Sequence, residues 1–446
     1  MYNIPLTLFL GKTLNEYQDQ LNKRAELLAK INQAFPCDQL KGHKPDCPLR
    51  PTTRLGYHGS YTRSRIIDTE GKCHQAQIPR VKCRDCGQTW TVYPSILISR
   101  KHYDAYTVQN TLEQVLSHEL TYRGTVRAHH QLSSTGTPKP NQFVSPYTPW
   151  HWVMWLGRFS LPLVLLACGL IPPHYVVEDE KFVRQNRLET YLLGLVDHRT
   201  NLIWWLDYLW HTDQTSIQNS LQNFLDEIFL AVGLNHTFKG ATTDGWQAAK
   251  AAFASLNSHT LVAECLLHPF LKFKQALYRW AKLTGAGPEW VAELRQNFWR
   301  VLFAADKATF EAGLATLQTR SEFNHPLLAE RLASLKRKRD GLSLHFEDEQ
   351  LALTSNAIDR RFQRLERKFR SMQQFRTEQS GYWTVTAWGI VQNFRYYGAE
   401  AKCPGRSPVE IAGVDLEGLP WLQFLLIKVA RLHWLKDPLV NSVAQS

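Results

Sequence analysis

Residues 175–209, YVVEDEKFVRQNRLETYLLGLVDHRTNLIWWLDYL, decide the fold. Within them Tyr175 to Phe182, Thr190 to Val196 and Asn201 to Leu209 are short runs rich in β-branched and aromatic residues. The last two are separated by the turn-like Asp197-His198-Arg199-Thr200, and together the runs predict three antiparallel strands. Downstream, Thr212 and Asp213 can cap a helix that continues through Leu230, a fourth strand runs into Thr242, and Trp246 to Leu256 reads as a second helix.

Strand-strand-strand-helix-strand-helix is the order of an RNase H-like core, although other mixed α/β folds share the pattern. Beyond it, Pro269 to Arg339 has helical period and is rich in Leu, Ala, Lys and Arg, with Pro288 and Pro326 as breaks. That stretch predicts an all-α insertion, and Ser355 to Met372 predicts a further helix.

Upstream, Leu14 to Phe35 carries apolar residues among charges and predicts one amphipathic helix ended by Pro36. Asp104 is a plausible N-cap for a helix with Val108, Leu112, Val115 and Leu116 on one face, and Thr121 opens a shorter one. Ser133 to Pro149 reads as a polar loop or hinge. Thr148-Pro149 then suits the start of a helix from Trp150 to Arg158. Short helices in a basic region suit a helix-turn-helix, though plain structural helices look the same. The organisation expected is an N-terminal helix (1–36), a zinc ribbon (37–100), a helix-turn-helix-like region (101–170), the first part of an α/β core (171–268), a helical insertion (269–350), and the rest of the core with C-terminal helices and a tail (351–446).

The formal charge of +12 favours a polyanionic partner. Its excess is N-terminal: residues 1–170 hold 20 Lys and Arg against 11 Asp and Glu. Five of the eight cysteines fall between Cys37 and Cys86, unlike the spread framework of a secreted disulfide protein, so a reduced, cytoplasmic setting is expected. Leu6 to Leu10 lacks the basic flank and cleavage site of a signal peptide, and the most apolar run, Leu161 to Ile171, is short of the ~20 residues of a membrane span.

Cys83-Arg-Asp-Cys86-Gly is a knuckle on which two thiolates can grip one zinc ion, and a tetrahedron needs two more ligands. Cys37 and Cys47 are assigned to that pair, with Cys73 or His74 able to replace either; the bland alternative is a set of buried thiols without metal. A second constellation is acidic. Asp179 projects from the first strand, Asp244 sits where the fourth strand ends, and Asp359 falls in the first turn of a helix with a dense basic run. Two-metal phosphoryl transfer needs carboxylates gathered from separate elements, since the ions must meet attacking oxygen, phosphate and leaving oxygen together. An Asp at a strand end is often only turn chemistry, and a basic helix is often only a solvated face.

Four features together carry a family resemblance: Asp179-Glu180 on a first strand, Asp244-Gly245 after the fourth, Cys265-Leu-Leu-His268 shortly downstream, and Asn356-Ala-Ile-Asp359 opening a helix. In these the chain resembles the DDE transposases of bacterial insertion sequences, within them the Mutator-like groups with a helical insertion before the third acid. The likeness runs from about Ile171 to Tyr397. It implies a nucleoid-associated enzyme that cleaves phosphodiesters at transposon ends and joins them to target DNA. Asp179, Asp244 and Asp359 would hold two Mg²⁺ or Mn²⁺ ions, Cys265 and His268 would be structural and near the site, and Arg360, Arg364 and Arg367 would contact DNA phosphates. Double-stranded terminal repeats and target DNA would be the partners, the protein acting as a homo-oligomer. The third acid of the family is usually Glu, so Glu366 or Glu349 is an alternative to Asp359. A domesticated regulator without catalysis and a plain metal-dependent nuclease are the rival readings.

Overall fold

Zinc-type knuckles are short hairpin turns, and the computed structural model builds the N-terminal module around one. It describes residues 5–132, 145–185, 188–372, 375 and 377–435 of the chain. Strand β1 (Leu6–Leu8) leads into α1 (Leu14–Asn22) and α2 (Arg24–Ala34). The single helix expected over residues 14–35 is thus broken at Lys23, whose φ of −96° and ψ of 64° leave the helical region. Thr13 caps the first piece through the N–H of Glu16, and Tyr17 and Leu21 then bury one face while Leu27 and Ile31 bury the face of the second. β2 (Leu55–Ile67), β3 (Cys73–Cys83) and β4 (Thr89–Pro94) follow, with sheet order β1-β4-β3-β2. The pairs β2/β3 and β3/β4 are antiparallel, and β1 joins β4 in parallel.

Four helices link this module to the second sheet: α3 (Ala105–Leu116), α4 (Tyr122–Leu132), α5 (Tyr147–Leu156) and α6 (Leu161–Ala167). Asp104 accepts from the N–H of Thr107, the expected cap, a contact of about 1 kcal/mol. The helix expected to be capped by Thr148 and to open at Pro149 begins two residues sooner, at Tyr147 after Pro146, and Ser145 Oγ accepts from the N–H of Tyr147. Of the expected loop over residues 133–149, residues 133–144 lie outside the described residues, as does the tail beyond residue 435. Val108, Leu112, Val115 and Leu116 pack into the same hydrophobic core as the second sheet, so α3 is part of that core.

The second sheet comes from β5 (Tyr175–Gln185), β6 (Leu188–Val196), β7 (Ile203–Leu209), α7 (Gln214–Val232), β8 (Gly240–Thr243), α8 (Gln247–Leu256) and β9 (Leu261–Glu264). Its order is β7-β6-β5-β8-β9, antiparallel across β7/β6/β5 and parallel across β5/β8/β9. Asp213 caps α7 as expected.

The insertion consists of α9 (Leu267–Thr284), α10 (Pro288–Leu302), α11 (Lys307–Thr319), α12 (Pro326–Arg337) and α13 (Arg339–Ser343). Pro288 and Pro326 open α10 and α12, where a missing N–H costs nothing. Its core is its own, with Phe273 and Phe298 stacked at 3.8 Å between centroids. It is tied to the sheet at buried Glu264, the last residue of β9, which accepts from Lys250 and from Lys338 Nζ at 2.5 Å, while His345 Nε2 donates to its carbonyl at 2.9 Å.

The chain closes with α14 (Asn356–Met372), α15 (Glu378–Phe394), α16 (Pro408–Ile411) and α17 (Trp421–Trp434). α15 covers the edge strand β7: Asn393 accepts from the N–H of Ile203 at 2.8 Å and donates to its carbonyl at 2.8 Å, filling the place of a neighbouring strand. α17 runs against β1 and contributes Ala430 to the N-terminal core. Among the described residues no helix is long and apolar enough to cross a membrane. The observed class is mixed α/β, with one mixed sheet in the N-terminal module and one in the core.

Candidate functional site

Two groups of side chains stand out. In the N-terminal module, His43, Cys47, Cys83 and Cys86 bring one donor atom each to within 4.8 Å of one another. Cys83 ends β3 and Cys86 lies in the turn to β4, where Gly87 takes the positive φ of 71° that such a turn requires. Cys47 Sγ is 3.9 Å from Cys83 Sγ, and His43 Nδ1 is 3.4 Å from Cys86 Sγ. A tetrahedral zinc ion with bonds of about 2.0–2.3 Å spaces its ligands roughly 3.5–3.8 Å apart, so the group fits zinc in a closed, structural arrangement.

This group takes in His43, which the sequence reading passed over, and leaves out Cys37, which it included. The reason is the imidazole: Nε2 donates to the Cys37 carbonyl at 2.8 Å, which turns Nδ1 toward Cys86, and Trp90 meets the ring edge-on at 5.0 Å. A backbone acceptor on one ring nitrogen is how ligating histidines are commonly oriented. Cys37 Sγ lies 3.9 Å from His43 Nε2, and burial first and Cys83 second push its thiol up. At Cys86 burial is outweighed by the backbone N–H groups of Gln88 and Lys44 and by His43, which bring the thiol down to about 6. Neither alternative ligand is near. Cys73 is exposed at the far end of β3, and His74 is held by Asp68 at 2.7 Å.

The second group lies on the other sheet. Asp179 is on β5, Asp244 directly follows β8, and Asp359 is in the first turn of α14. Val177 pairs with Thr242, so the same register continued by two residues sets Asp244 beside Asp179. Asp359 reaches Asp179 through a hydrogen bond between the two carboxyl groups. Burial, then Asp359 and Asp244, push the Asp179 carboxyl up to about 8. Glu180 is raised to about 7 by burial and Asp244, and Glu178, fully buried, is raised by burial, Glu180, Asp179 and Asp244. Buried oxygens of Glu178 and Glu180 find no hydrogen-bond donor among the described residues. Carboxyl groups thus concentrate around β5, with His268 the nearby cation that Asp359 and Asp179 help to hold.

Backbone space at the site is tight. Gly245 has φ of 89°, a conformation that favours Gly after Asp244, and a Cβ there would meet Lys338 Nζ and Glu264 Oε2. Ser355 precedes α14 and donates from Oγ to Asp359 Oδ2 at 3.1 Å, while its N–H donates to Cys265 Sγ at 3.2 Å. Cys265, buried just after β9, is hydrogen-bonded with His268. That bond raises His268 to about 9 against the effect of burial, and Asp359 and Asp179 act in the same direction. Cys265 therefore ties the end of β9 to the start of α14 through Ser355, with His268 near the carboxylates.

Of the alternatives for the third acid, Glu366 is engaged by Lys181 at 3.1 Å and Arg370 at 2.9 Å, and Glu349 is exposed. Along α14, Arg360, Arg364 and Arg367 share one face by their spacing of four and three residues. Arg367 pairs with Glu119 of the α3–α4 turn at 2.9 Å. Arg361 and Lys368 point inward: Arg361 donates to the Asn201 carbonyl and Tyr397, and Lys368 to the Leu120 carbonyl at 2.8 Å.

Residues 47–129 match a family model described as a domain of unknown function, DUF6431. The match holds three ligands of the His43 group and continues through α3 into α4, but excludes His43 and all three Asp residues. No curated protein matches the chain.

Proposed function

We propose that the chain is a DDE-type DNA transposase with an RNase H-like core, cleaving phosphodiesters at transposon ends and transferring the freed ends into target DNA. The observation that carries this reading is the meeting of Asp179, Asp244 and Asp359 from three separate elements. The order β7-β6-β5-β8-β9, with its first three strands antiparallel and the rest parallel, is the arrangement expected of an RNase H-like core and supports it. The four matched motifs of the sequence add to that support, as does a helical insertion lying between the second and third acids.

The three Asp residues would hold two Mg²⁺ or Mn²⁺ ions, which when bound supply Lewis-acid activation of the attacking and leaving oxygens. Ser355 orients Asp359 by occupying one of its oxygens. Arg360 and Arg364, which meet no carboxylate among the described residues, are placed to neutralise the phosphates of a duplex lying along α14. The zinc-type module and α3–α4 would hold the DNA ends, with double-stranded DNA as partner and a second copy of the chain on the paired end.

The test is a supercoiled plasmid carrying candidate terminal repeats, incubated with the purified protein with and without Mn²⁺. Nicking, linearisation and end-joined products that require Mn²⁺ are expected. Cleavage without joining makes the protein a nuclease; binding without cleavage makes it a regulator.

A further inference from the structure

Glu264, the last residue of β9, is only 2% exposed, and its carboxylate sits in a crowded place. Thr243 stands opposite it across the parallel pair β8/β9, so the turn Asp244-Gly245-Trp246 that leaves β8 lies against its side chain. Two glycines make room for it. A Cβ on Gly245 would meet Glu264 Oε2, and one on Gly341 of α13 would lie 3.0 Å from Glu264 Cγ. Two ammonium groups divide its oxygens: Lys250 of α8 donates to Oε1, and Lys338, at the junction of α12 and α13, donates to Oε2 at 2.5 Å.

A carboxylate taken out of water depends on close partners, and a buried pair that loses one member leaves an uncompensated charge behind. The two partners of Glu264 differ in what else they touch. Lys338 belongs to the insertion, and its Nζ also lies against Gly245, where a Cβ would meet it. Lys250 belongs to α8, which follows the turn directly. Asp244 is oriented by that turn: its Oδ1 accepts from the Trp246 N–H at 2.8 Å, while Thr243 Oγ1 accepts from the Gly245 N–H at 3.1 Å. The insertion therefore bears on Asp244 through Lys338, Glu264 and Gly245.

We propose that Glu264 and Lys338 are positioning residues for Asp244, on the reading that Asp244 is a ligand of Mg²⁺ or Mn²⁺. Their ion pair seats the insertion against the turn and fixes the direction in which Asp244 offers its second oxygen to the cation. Groups that hold a metal ligand from behind change metal affinity by about 10- to 100-fold when they are removed. Charge alone predicts the opposite sign, because deleting an ammonium group near the site leaves it more negative and should tighten a cation. The direction of the change separates positioning from electrostatics.

Mn²⁺ binding to the zinc-loaded full chain, followed by loss of the free-ion electron paramagnetic resonance signal, tests this without any cleavage step. Lys338→Met should weaken Mn²⁺ about tenfold although it removes a positive charge. Lys250→Met removes the same charge from the other oxygen, away from the insertion, and should leave Mn²⁺ as tight as in the parent or tighter. Should Lys338→Met fail to fold, Gly341→Ala displaces Glu264 with every charge in place and must still weaken Mn²⁺. A merely structural ion pair lowers the melting temperature of both lysine variants and leaves Mn²⁺ affinity unmoved. That result, tighter Mn²⁺ in Lys338→Met, or equal weakening in the two lysine variants overturns the proposal. Asp244→Asn tells the two kinds of failure apart. If it abolishes Mn²⁺ binding while Lys338→Met binds like the parent, the positioning role alone falls; if the parent holds no Mn²⁺ that Asp244→Asn removes, the reading of Asp244 as a metal ligand falls and the positioning role with it.

Discussion

Asp179 and Gly194 stand directly opposite each other across the antiparallel pair β5/β6, with their Cα substituents on the same face. A Cβ on Gly194 would fall 2.6 Å from Ile358 Cδ1 and 3.0 Å from Phe362 Cζ, both on α14. The missing side chain is therefore what lets α14 lie close enough on β5 and β6 to bring Asp359 to Asp179. Gly194→Val should lift the helix, lower stability by about 1–3 kcal/mol and separate the two carboxylates. Gly194→Ala should be milder, because Ile358 Cδ1 is the free end of a flexible chain. Urea melts together with Mn²⁺-dependent cleavage check this; a Val variant as stable and active as the parent would disprove it.

The N-terminal cluster should bind about one equivalent of zinc. Cys83→Ser/Cys86→Ser should abolish it and His43→Ala should release zinc more readily to a chelator, whereas Cys37→Ser should retain the metal. Metal analysis of the three variants decides between His43 and Cys37 as the fourth ligand. Zinc retained by the His43 variant and lost by the Cys37 variant would restore the assignment read from the sequence.

The contrast between these two residues shows what a sequence makes legible. Asp104 and Asp213 are readable because capping is a local feature. His43 is not, because no spacing rule selects a lone imidazole six residues after Cys37; its role is fixed by the Cys37 carbonyl and by Trp90, which approaches from β4. The break at Lys23 is similarly hidden, since an apolar period continues through it. The basic run of α14 reads as one charged surface, yet Arg361 and Lys368 are drawn inward by carbonyl acceptors from distant loops. Such acceptors are set by tertiary structure alone.

Arg364 is half-buried among Arg395, Arg367 and Arg360, and burial and then Arg395 lower its proton affinity. An anion is the natural relief for that crowding. Arg364→Glu should weaken binding to specific and random duplexes equally and reduce the salt slope of binding by about one unit for the lost contact. Filter binding across a salt series tests it, and a loss confined to one sequence would count against phosphate contact.

His236 gives the fold an acid-sensitive point away from both sites. It is buried, donates from Nε2 to the Pro173 carbonyl at 3.2 Å and stacks on His174 at 4.9 Å; burial and then His174 lower it to about 4. Because its folded value lies below the unfolded ~6.5, the unfolded chain binds the proton first as pH falls, so stability is present above pH ~6.5 and lost down to about 4. The loss should be on the order of 2 kcal/mol after allowing for solvent screening. His236→Phe, set among Phe224 and Phe238, should flatten the melting temperature between pH 7 and 4.5 relative to the parent. Equal acid sensitivity in the two proteins would exclude His236 as the source.

The catalytic reading stands on charge more than on shape, and Asn is the substitution that separates them. Asp179→Asn, Asp244→Asn and Asp359→Asn each keep the volume of the side chain while removing the anion, so folding and DNA binding should persist. Cleavage should fall by about 10³-fold or more in every case, because members of one catalytic unit are not additive. Replacing Asp179 should also relieve part of the repulsion that raises Glu178, so that variant should melt no lower than the parent in the absence of metal. Glu366→Gln is the control: its carboxylate is engaged by Lys181 and Arg370, and its loss should leave cleavage within about tenfold of the parent. If Glu366→Gln is inactive while Asp359→Asn still cuts a labelled terminal repeat in Mn²⁺, the third acid is Glu366. If all three Asn variants cut as well as the parent, the protein is not a DDE enzyme.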